Sequence, residues 1–135
     1  MIDRHMKLRI VLADDSPECL EAMAKSLRSA CEVVATASDG STALQLIKEF
    51  APDVAVLDLQ MPGLNGIELT RELMKQSFSG GVVICSVHYD TDLVDAALAA
   101  GASAYIRKSD YARDLLVAVT MAGRSEPFSP ADLDH

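Results

Sequence analysis

The segment VLDLQMPGLNG, residues Val56–Gly66, joins an apolar strand, a lone acid and a glycine-rich turn. Asp58 follows a run of apolar residues, as at the tip of a strand that is covered on both faces. Proline fixes φ and glycine accepts backbone conformations that other residues resist, so Pro62-Gly63 favours a tight turn. The segment therefore predicts a buried strand of a parallel sheet that presents one carboxylate at its carboxyl end. A turn-forming aspartate without further function is the simpler alternative for Asp58.

The change from apolar strand to helix repeats along the chain. Short β-rich runs alternate with longer segments in which apolar residues recur at helical spacing. The predicted strands are Leu8–Ala13, Glu32–Ala37, Asp53–Asp58, Val82–Ser86 and Ala104–Arg107. This alternation predicts an α/β fold, a doubly wound (βα)5 flavodoxin-like parallel sheet with strand order 2-1-3-4-5.

The helices between these strands are predicted from apolar stripes and from residues that begin or end helices. Four stripes at positions i, i+3, i+4 and i+7 start at Leu20, Ala43, Val94 and Leu115. A further helix is predicted from Gly66 to about Gln76. Ser16 and Ser41 are expected to begin the first two helices. The expected stops of the second, third and fourth helices are Pro52, Gly80-Gly81 and Gly101.

The composition limits the classes of function. The chain has 135 residues, of which 50% are hydrophobic and 24% charged, so it is long enough for one domain with its own core. A net charge of -8 disfavours direct contact with nucleic acid or an anionic membrane. Three cysteines without a secretory signal, and no apolar run that could span a bilayer, predict a cytoplasmic protein without disulfides, zinc or a membrane anchor.

Acids follow two strands that are neighbours in the predicted sheet. Asp14 and Asp15 come after the first strand and Asp58 closes the third. Because ligands bind at the carboxyl ends of such strands, we expect these three carboxylates to converge. An all-oxygen cluster suits Mg²⁺ or Mn²⁺, which is therefore the predicted cofactor. For Asp14 and Asp15 the alternative is a solvated loop or a helix cap.

Two further polar residues lie at the same predicted edge. Ser86 closes the fourth strand and Lys108 follows the fifth. Taken singly, they are typical of a loop hydroxyl and a surface lysine. Together with the acids they supply a metal site, a nucleophile, a hydrogen-bond donor and a cation, which are the groups that phosphoryl transfer requires. Asp58 is the candidate nucleophile, because an ionised carboxylate can form an acyl phosphate.

Four segments in order, VLADDS, VLDLQMPGLNGIEL, VVICS and AYIRKSD, resemble the receiver domain of a two-component response regulator, and IRKSD resembles the LuxR/NarL-like subgroup. The resemblance implies that Asp58 accepts a phosphoryl group from a sensor histidine kinase. It implies that Asp15, Asp58 and the carbonyl of Gln60 bind Mg²⁺, with Asp14 acting through water. Lys108 and Ser86 would contact the phosphoryl oxygens. Tyr105 would report the movement of Ser86 to the face of helix 4, strand 5 and helix 5, or else be a plain core aromatic.

The resemblance also implies an organisation and partners. Residues 7–123 would be the receiver domain, residues 1–6 a tag or disordered start, and residues 124–135 a linker toward an output domain. DNA would be bound only through such a C-terminal domain, and phosphorylation would favour a homodimer. The chain would not be an enzyme, although it would promote its own phosphotransfer and autodephosphorylation.

Two positions depart from the commonest receiver pattern. Val87 replaces a smaller residue and predicts restricted access for phosphodonors. Ser109 replaces a proline that often follows a cis bond. A cis bond without proline costs about 3 kcal/mol, so the Lys108–Ser109 bond is expected to be trans.

Three other functions compete with this interpretation. A stand-alone or pseudo-receiver domain would serve only protein contacts. A phosphatase with an aspartate nucleophile has a second acid two residues later, where this chain has Gln60. A flavodoxin-like binder needs a hydroxyl- and glycine-rich loop after the first strand, and the acids of ADDSPE would repel the phosphate there.

Overall fold

The computed structural model describes residues 7–124, which form five strands, five α-helices and one short 3₁₀ helix. The strands are β1 (Leu8–Ala13), β2 (Cys31–Ala37), β3 (Val54–Leu57), β4 (Gly81–Ser86) and β5 (Ala104–Arg107). The helices are α1 (Pro17–Leu27), α2 (Gly40–Phe50), α3 (Gly66–Lys75), α4 (Thr91–Ala100) and α5 (Tyr111–Gly123). The 3₁₀ helix, Lys108–Asp110, joins β5 to α5. The predicted tag and all but the first residue of the predicted linker lie outside the described residues.

All five strands are parallel and lie in the order β2-β1-β3-β4-β5, so the predicted sheet topology is confirmed. Ala13 pairs with Leu57 at the last position of the β1–β3 ladder. The backbone N–H of Asp58 still donates to the carbonyl of Ala13 at 2.8 Å. The register therefore brings the residues that follow β1 and β3 to the same edge.

Helices cover both faces of the sheet because successive strand residues point to opposite sides. Ile10 and Leu12 pack in one apolar cluster with α1 and α5, whereas Val11 and Ala13 pack in another with α2, α3 and α4. Strand β3 is buried at every position, as its apolar sequence predicts. A sheet covered in this way leaves its strand ends as places where polar groups can meet.

The ends of β3 and the start of α2 differ from the predictions. Asp53 and Asp58 flank β3 rather than belonging to it. Asp53 instead uses its carboxylate to accept a hydrogen bond from the Arg9 backbone N–H at 2.7 Å. The predicted start of α2 at Ser41 is wrong, because the Asp39 carboxylate accepts from the Thr42 N–H at 2.7 Å and caps a helix that begins at Gly40.

The other helix ends are mostly as predicted. Ser16 caps α1 by accepting from the Cys19 N–H, and Gly101 ends α4 with a φ of 119°. Pro52 follows α2 directly after its left-handed cap, Ala51. α3 runs from Gly66 to Lys75 with Gln76 as its cap, as predicted, and the chain already turns at Ser77, with a φ of 60°, before it reaches Gly80-Gly81. No helix within residues 7–124 is long and apolar enough to cross a membrane.

Candidate functional site

Three carboxylates converge at the carboxyl edge of the sheet. Asp14 and Asp15 follow β1, Asp58 follows β3, and one oxygen from each lies within 4.8 Å of the others. Asp14 is fully buried and Asp58 is 5% exposed, whereas Asp15 is exposed. This is the convergence that the strand order predicted. Hard, all-oxygen donors at this spacing fit a magnesium ion better than a softer metal.

Asp14 has a second contact in the loop before α1, although it is buried rather than solvated and the cap of that helix is Ser16. Its Oδ1 accepts from the Ser16 backbone N–H at 2.9 Å, so it also shapes the turn that leads into α1. Its other oxygen, Oδ2, is buried and accepts no well-aligned hydrogen bond from the described residues. The negative charge of Oδ2 is compensated instead by the ammonium group of Lys108.

Lys108 supplies this compensation from the start of the 3₁₀ helix. Its Nζ lies 2.7 Å from Oδ2 of Asp14 and 3.3 Å from Oδ2 of Asp58. Burial lowers the pKa of Lys108, but the two carboxylates outweigh burial and the net shift is upward. The ammonium is therefore charged at physiological pH and bridges the two buried acids.

The surroundings of Asp58 disfavour its ionised form more than water does for an exposed aspartate. Burial raises its pKa, the negative charge of Asp14 raises it further, and Lys108 opposes both. The balance is upward, so its ionised form is destabilised where no divalent ion is bound. Added positive charge at this edge would relieve that cost.

Ser86 and Tyr105 lie on the α4 side of the same edge. Ser86 is buried at the end of β4, and its Oγ accepts from the His88 backbone N–H at 3.0 Å. The Tyr105 hydroxyl donates a hydrogen bond to the carbonyl of His88. Burial raises the pKa of Tyr105, and hydrogen bonding with Ser86 partly offsets that rise. Both side chains thus engage the loop between β4 and α4, residues 87–90.

Gln60 lies in the β3–α3 loop, residues 58–65, with its side chain exposed. Two glycines allow the backbone of this loop to lie in close contact with the starts of α2 and α3. A Cβ on Gly66 would lie 2.5 Å from the Asp58 carbonyl oxygen, and a Cβ on Gly40 would lie 2.0 Å from that of Leu64. Only glycine fits at either contact without movement of the backbone.

The sequence reasoning missed a group of side chains beside this edge. Tyr89 packs edge-on against Tyr105 with ring centroids 5.5 Å apart, and the guanidinium carbon of Arg107 lies 4.4 Å from the Tyr89 ring centroid. In a chain with 4% aromatic residues, a tyrosine three positions after Ser86 was the available signal. The ion pair between Lys108 and Asp14 was also missed, since a sequence gives no distance between loop residues.

The Lys108–Ser109 bond is trans, as expected. Val87 is 70% exposed, and its effect on phosphodonor access stays a prediction.

A family model for the response regulator receiver domain matches residues 10–120. The chain belongs to this family. The receiver domain is 32% identical over 131 residues to the transcriptional regulatory protein DegU of Brevibacillus brevis, covering 96% of this chain and 56% of that protein. It is 36% identical over 119 residues to the nitrate/nitrite response regulator protein NarL of Escherichia coli K12, covering 87% and 55%. The chain thus spans a little over half the length of these relatives.

Solved structures agree with this membership. A LuxR-family two-component response regulator from Aurantimonas sp. SI85-9A1 is 31% identical with a TM-score of 0.87, covering 96% of this chain and 94% of that chain. The signal receiver domain of NarL from Mycobacterium tuberculosis is 32% identical with a TM-score of 0.86, covering 89% and 98%. The flavodoxin-like fold and the resemblance to LuxR/NarL-like receivers are therefore confirmed.

Proposed function

We propose that this receiver domain accepts a phosphoryl group on Asp58 from a phosphohistidine of a sensor histidine kinase, and that it controls a transcriptional output. One observation carries the proposal: Asp58 lies at the tip of β3, buried beside two further carboxylates and the Lys108 ammonium. A carboxylate destabilised by its neighbours is a reactive nucleophile that needs no separate base. An aspartate that only formed a turn would not require burial beside two other carboxylates and a lysine.

In the proposed transfer, an Asp58 carboxylate oxygen attacks phosphorus in line with the bond to the histidine nitrogen. The new O–P bond forms as the N–P bond breaks, and its electron pair stays on the imidazole, whose other nitrogen carries the proton. Lys108, now 3.3 Å from Asp58, is close enough to pair with the oxygens of the incoming group. That pairing neutralises charge where it accumulates.

The acidic cluster fits Mg²⁺, or Mn²⁺, as the cofactor. Asp15 and Asp58 would hold the ion directly with the backbone carbonyl of Gln60, and Asp14 would act through water. A bound divalent ion supplies positive charge that offsets the three carboxylates and the phosphoryl oxygens.

Phosphorylation is proposed to act on the β4–α4 loop. The Ser86 hydroxyl, which now accepts from His88, would turn to donate to a phosphoryl oxygen. Losing that contact would free the loop that Tyr105 also binds through the His88 carbonyl. The change would then reach the α4–β5–α5 face, where homodimerisation is the proposed consequence.

The remaining functional expectations are part of the same proposal. The domain is not a turnover enzyme, but it promotes its own phosphotransfer and autodephosphorylation. It acts in the cytoplasm, and DNA is contacted only through a C-terminal output domain. The name of the transcriptional regulatory protein DegU supports the link to transcription.

The test is chemical phosphorylation of the purified domain. Incubation with Mg²⁺ and acetyl phosphate should add one phosphoryl group, measured by intact-protein mass spectrometry. Asp58→Asn, which keeps the size of the side chain, should gain none. Uptake should also vanish with excess EDTA. A wild-type protein that both acetyl phosphate and phosphoramidate leave unmodified would favour a pseudo-receiver that serves only protein contacts.

A further inference from the structure

A groove of about 400 Å³ lies beside the candidate site, between the β4–α4 loop and the end of β5. Its lining residues are Ser86, Val87, Tyr89, Arg107, Lys108 and Ser109. Ser86 is buried, and Lys108 contacts Asp14 and Asp58. Val87, Arg107 and Ser109 are exposed. Through Lys108 the groove therefore adjoins the residues around Asp58.

Arg107 is fixed in this groove without being neutralised. Residues i and i+2 of a strand share a face, so Tyr105 and Arg107 project toward α4 together. Tyr105 supports the edge of Tyr89, and Tyr89 presents its ring to the Arg107 guanidinium at 4.4 Å. A cation–π contact orients the guanidinium but leaves its full charge and its N–H edges available. Within residues 7–124, no carboxylate lies within ion-pair distance of Arg107.

An anion that enters this groove faces strong repulsion. The chain carries a net charge of -8, and Lys108 of the lining lies against the carboxylates of Asp14 and Asp58. Arg107 and Lys108 are the basic residues of the lining, and Lys108 is already paired with Asp14 and Asp58. Charge within about one Debye length, roughly 8 Å in physiological salt, strongly affects the approach of a small anion. Arg107 is the lining residue whose charge remains available for that approach.

We propose, on the basis of the proposed function, that Arg107, held by Tyr89 in this groove, recruits small acyl phosphates to Asp58. An Asp58 oxygen attacks the phosphorus of such a donor. The O–P bond to Asp58 forms while the bond between phosphorus and the acyl oxygen breaks, and the carboxylate leaves with the electron pair. No proton or further reactant is required.

The experiment compares variants and donors by initial rates of phosphoryl uptake at saturating Mg²⁺ and limiting donor. Arg107→Gln removes the charge, Arg107→Lys restores it, and Tyr89→Leu removes the ring that orients it. Lys75→Gln removes one exposed positive charge on α3 and is the matched control. The donors are acetyl phosphate and phosphoramidate, a smaller donor with less negative charge at neutral pH.

With acetyl phosphate we expect Arg107→Gln to be about fivefold slower than wild type, as the loss of one screened charge near an anion predicts. Arg107→Lys and Lys75→Gln should stay within about twofold of wild type, and Tyr89→Leu should fall between. The defect of Arg107→Gln should shrink in 0.5 M salt and be smaller with phosphoramidate. This salt and donor dependence separates recruitment from a structural effect on the loop.

Equal rates for wild type and Arg107→Gln with acetyl phosphate would overturn the inference. So would a defect of the same size with both donors and at both salt concentrations. Uptake from phosphoramidate without uptake from acetyl phosphate would also overturn it, while leaving the proposed function intact. Uptake from neither donor would instead contradict the proposed function.

Discussion

Asp58 is buried and lies close to the negative charge of Asp14, and together these two features lower the stability of the fold when Asp58 is ionised. Its pKa is raised in the folded protein by burial first and by Asp14 second. A carboxyl whose folded pKa exceeds its unfolded value stabilises the fold below the unfolded pKa, and that contribution is lost as pH rises through the folded pKa. At neutral pH without a divalent ion, ionised Asp58 therefore destabilises the fold.

Asp58→Asn should consequently stabilise the domain in EDTA at pH 7. We expect the free energy of unfolding to rise by about 1 kcal/mol, the scale of one close charge repulsion in a partly hydrated site. Urea unfolding monitored by circular dichroism measures this change. The gain should shrink as the pH falls through the raised pKa of Asp58, because the wild-type carboxyl then takes up its proton, and it should also shrink in millimolar Mg²⁺. A variant that is less stable than wild type under all these conditions would contradict this interpretation.

Lys108 should have the opposite effect, because it compensates two buried acids. Lys108→Gln leaves Asp14 and Asp58 facing each other, and we expect a loss of about 2 kcal/mol or more in EDTA. The control is the double variant Lys108→Gln with Asp14→Asn, which removes both members of the shorter ion pair. It should recover much of the loss, since no uncompensated pair of charges remains. Equal stability of wild type and the single variant would show that the ion pairs contribute little.

The β3–α3 loop depends on an element that is distant in sequence. Gly40, the first residue of α2, donates from its backbone N–H to the carbonyl of Pro62 at 3.0 Å. A Cβ added to Gly40 would overlap the Leu64 carbonyl, so there is no room for a side chain. The start of α2 therefore helps to set the position of the loop that carries Gln60.

Gly40→Ala should displace this loop. We expect a loss of about 1–3 kcal/mol from overpacking, together with weaker Mg²⁺ binding, measured by the rise in melting temperature that Mg²⁺ produces. Asp39→Ala is the matched control. It removes the cap of the same helix at a cost of about 1 kcal/mol, and it should leave the Mg²⁺ effect unchanged. The same loss of the Mg²⁺ effect in both variants would mean that the defect comes from fraying of α2.

Periodicity predicted the elements well and their ends less well, for reasons visible in particular residues. β1 and β5 have the predicted bounds. The apolar run of β1 ends at Ala13, where pairing ends, and in β5 pairing continues one residue past the apolar run, to Arg107. α2 begins at Gly40 rather than Ser41 because Asp39 is its cap. Aspartate and serine are both favoured as helix caps, so the sequence alone does not choose between Asp39 and Ser41. The 3₁₀ helix at Lys108–Asp110 was not predicted, since three residues carry no periodic signal.

The candidate site, too, could be predicted from the sequence only in part. The meeting of Asp14, Asp15 and Asp58 follows from strand order alone, which the alternation of strands and helices predicts. The stacking of Arg107 on Tyr89 depends on side-chain conformations in a loop and could not be read from spacing.

At the scale of the whole molecule, the three cysteines differ in how deeply they are buried. Cys31 and Cys85 are buried, and burial raises the pKa of each thiol, for Cys85 to about 12. Cys19 on α1 is partly exposed. Iodoacetamide should therefore alkylate Cys19 first in the native domain, while the buried pair reacts only through unfolding or local opening.

Peptide mass spectrometry over time measures this order. Urea should equalise the three rates, which is the internal control. Rapid labelling of Cys85 in the native state would contradict the packing of β4.

The measurement that tests the central proposal most directly is localisation of the phosphoryl group. The domain is treated with acetyl phosphate and Mg²⁺, the acyl phosphate is reduced with borohydride, and the peptides are sequenced by mass spectrometry. We predict that residue 58 alone is converted to homoserine, and that omission of Mg²⁺ prevents the conversion. Modification at another residue, or none with either acetyl phosphate or phosphoramidate in a folded and Mg²⁺-saturated domain, would contradict the assignment of Asp58 as the phosphoacceptor.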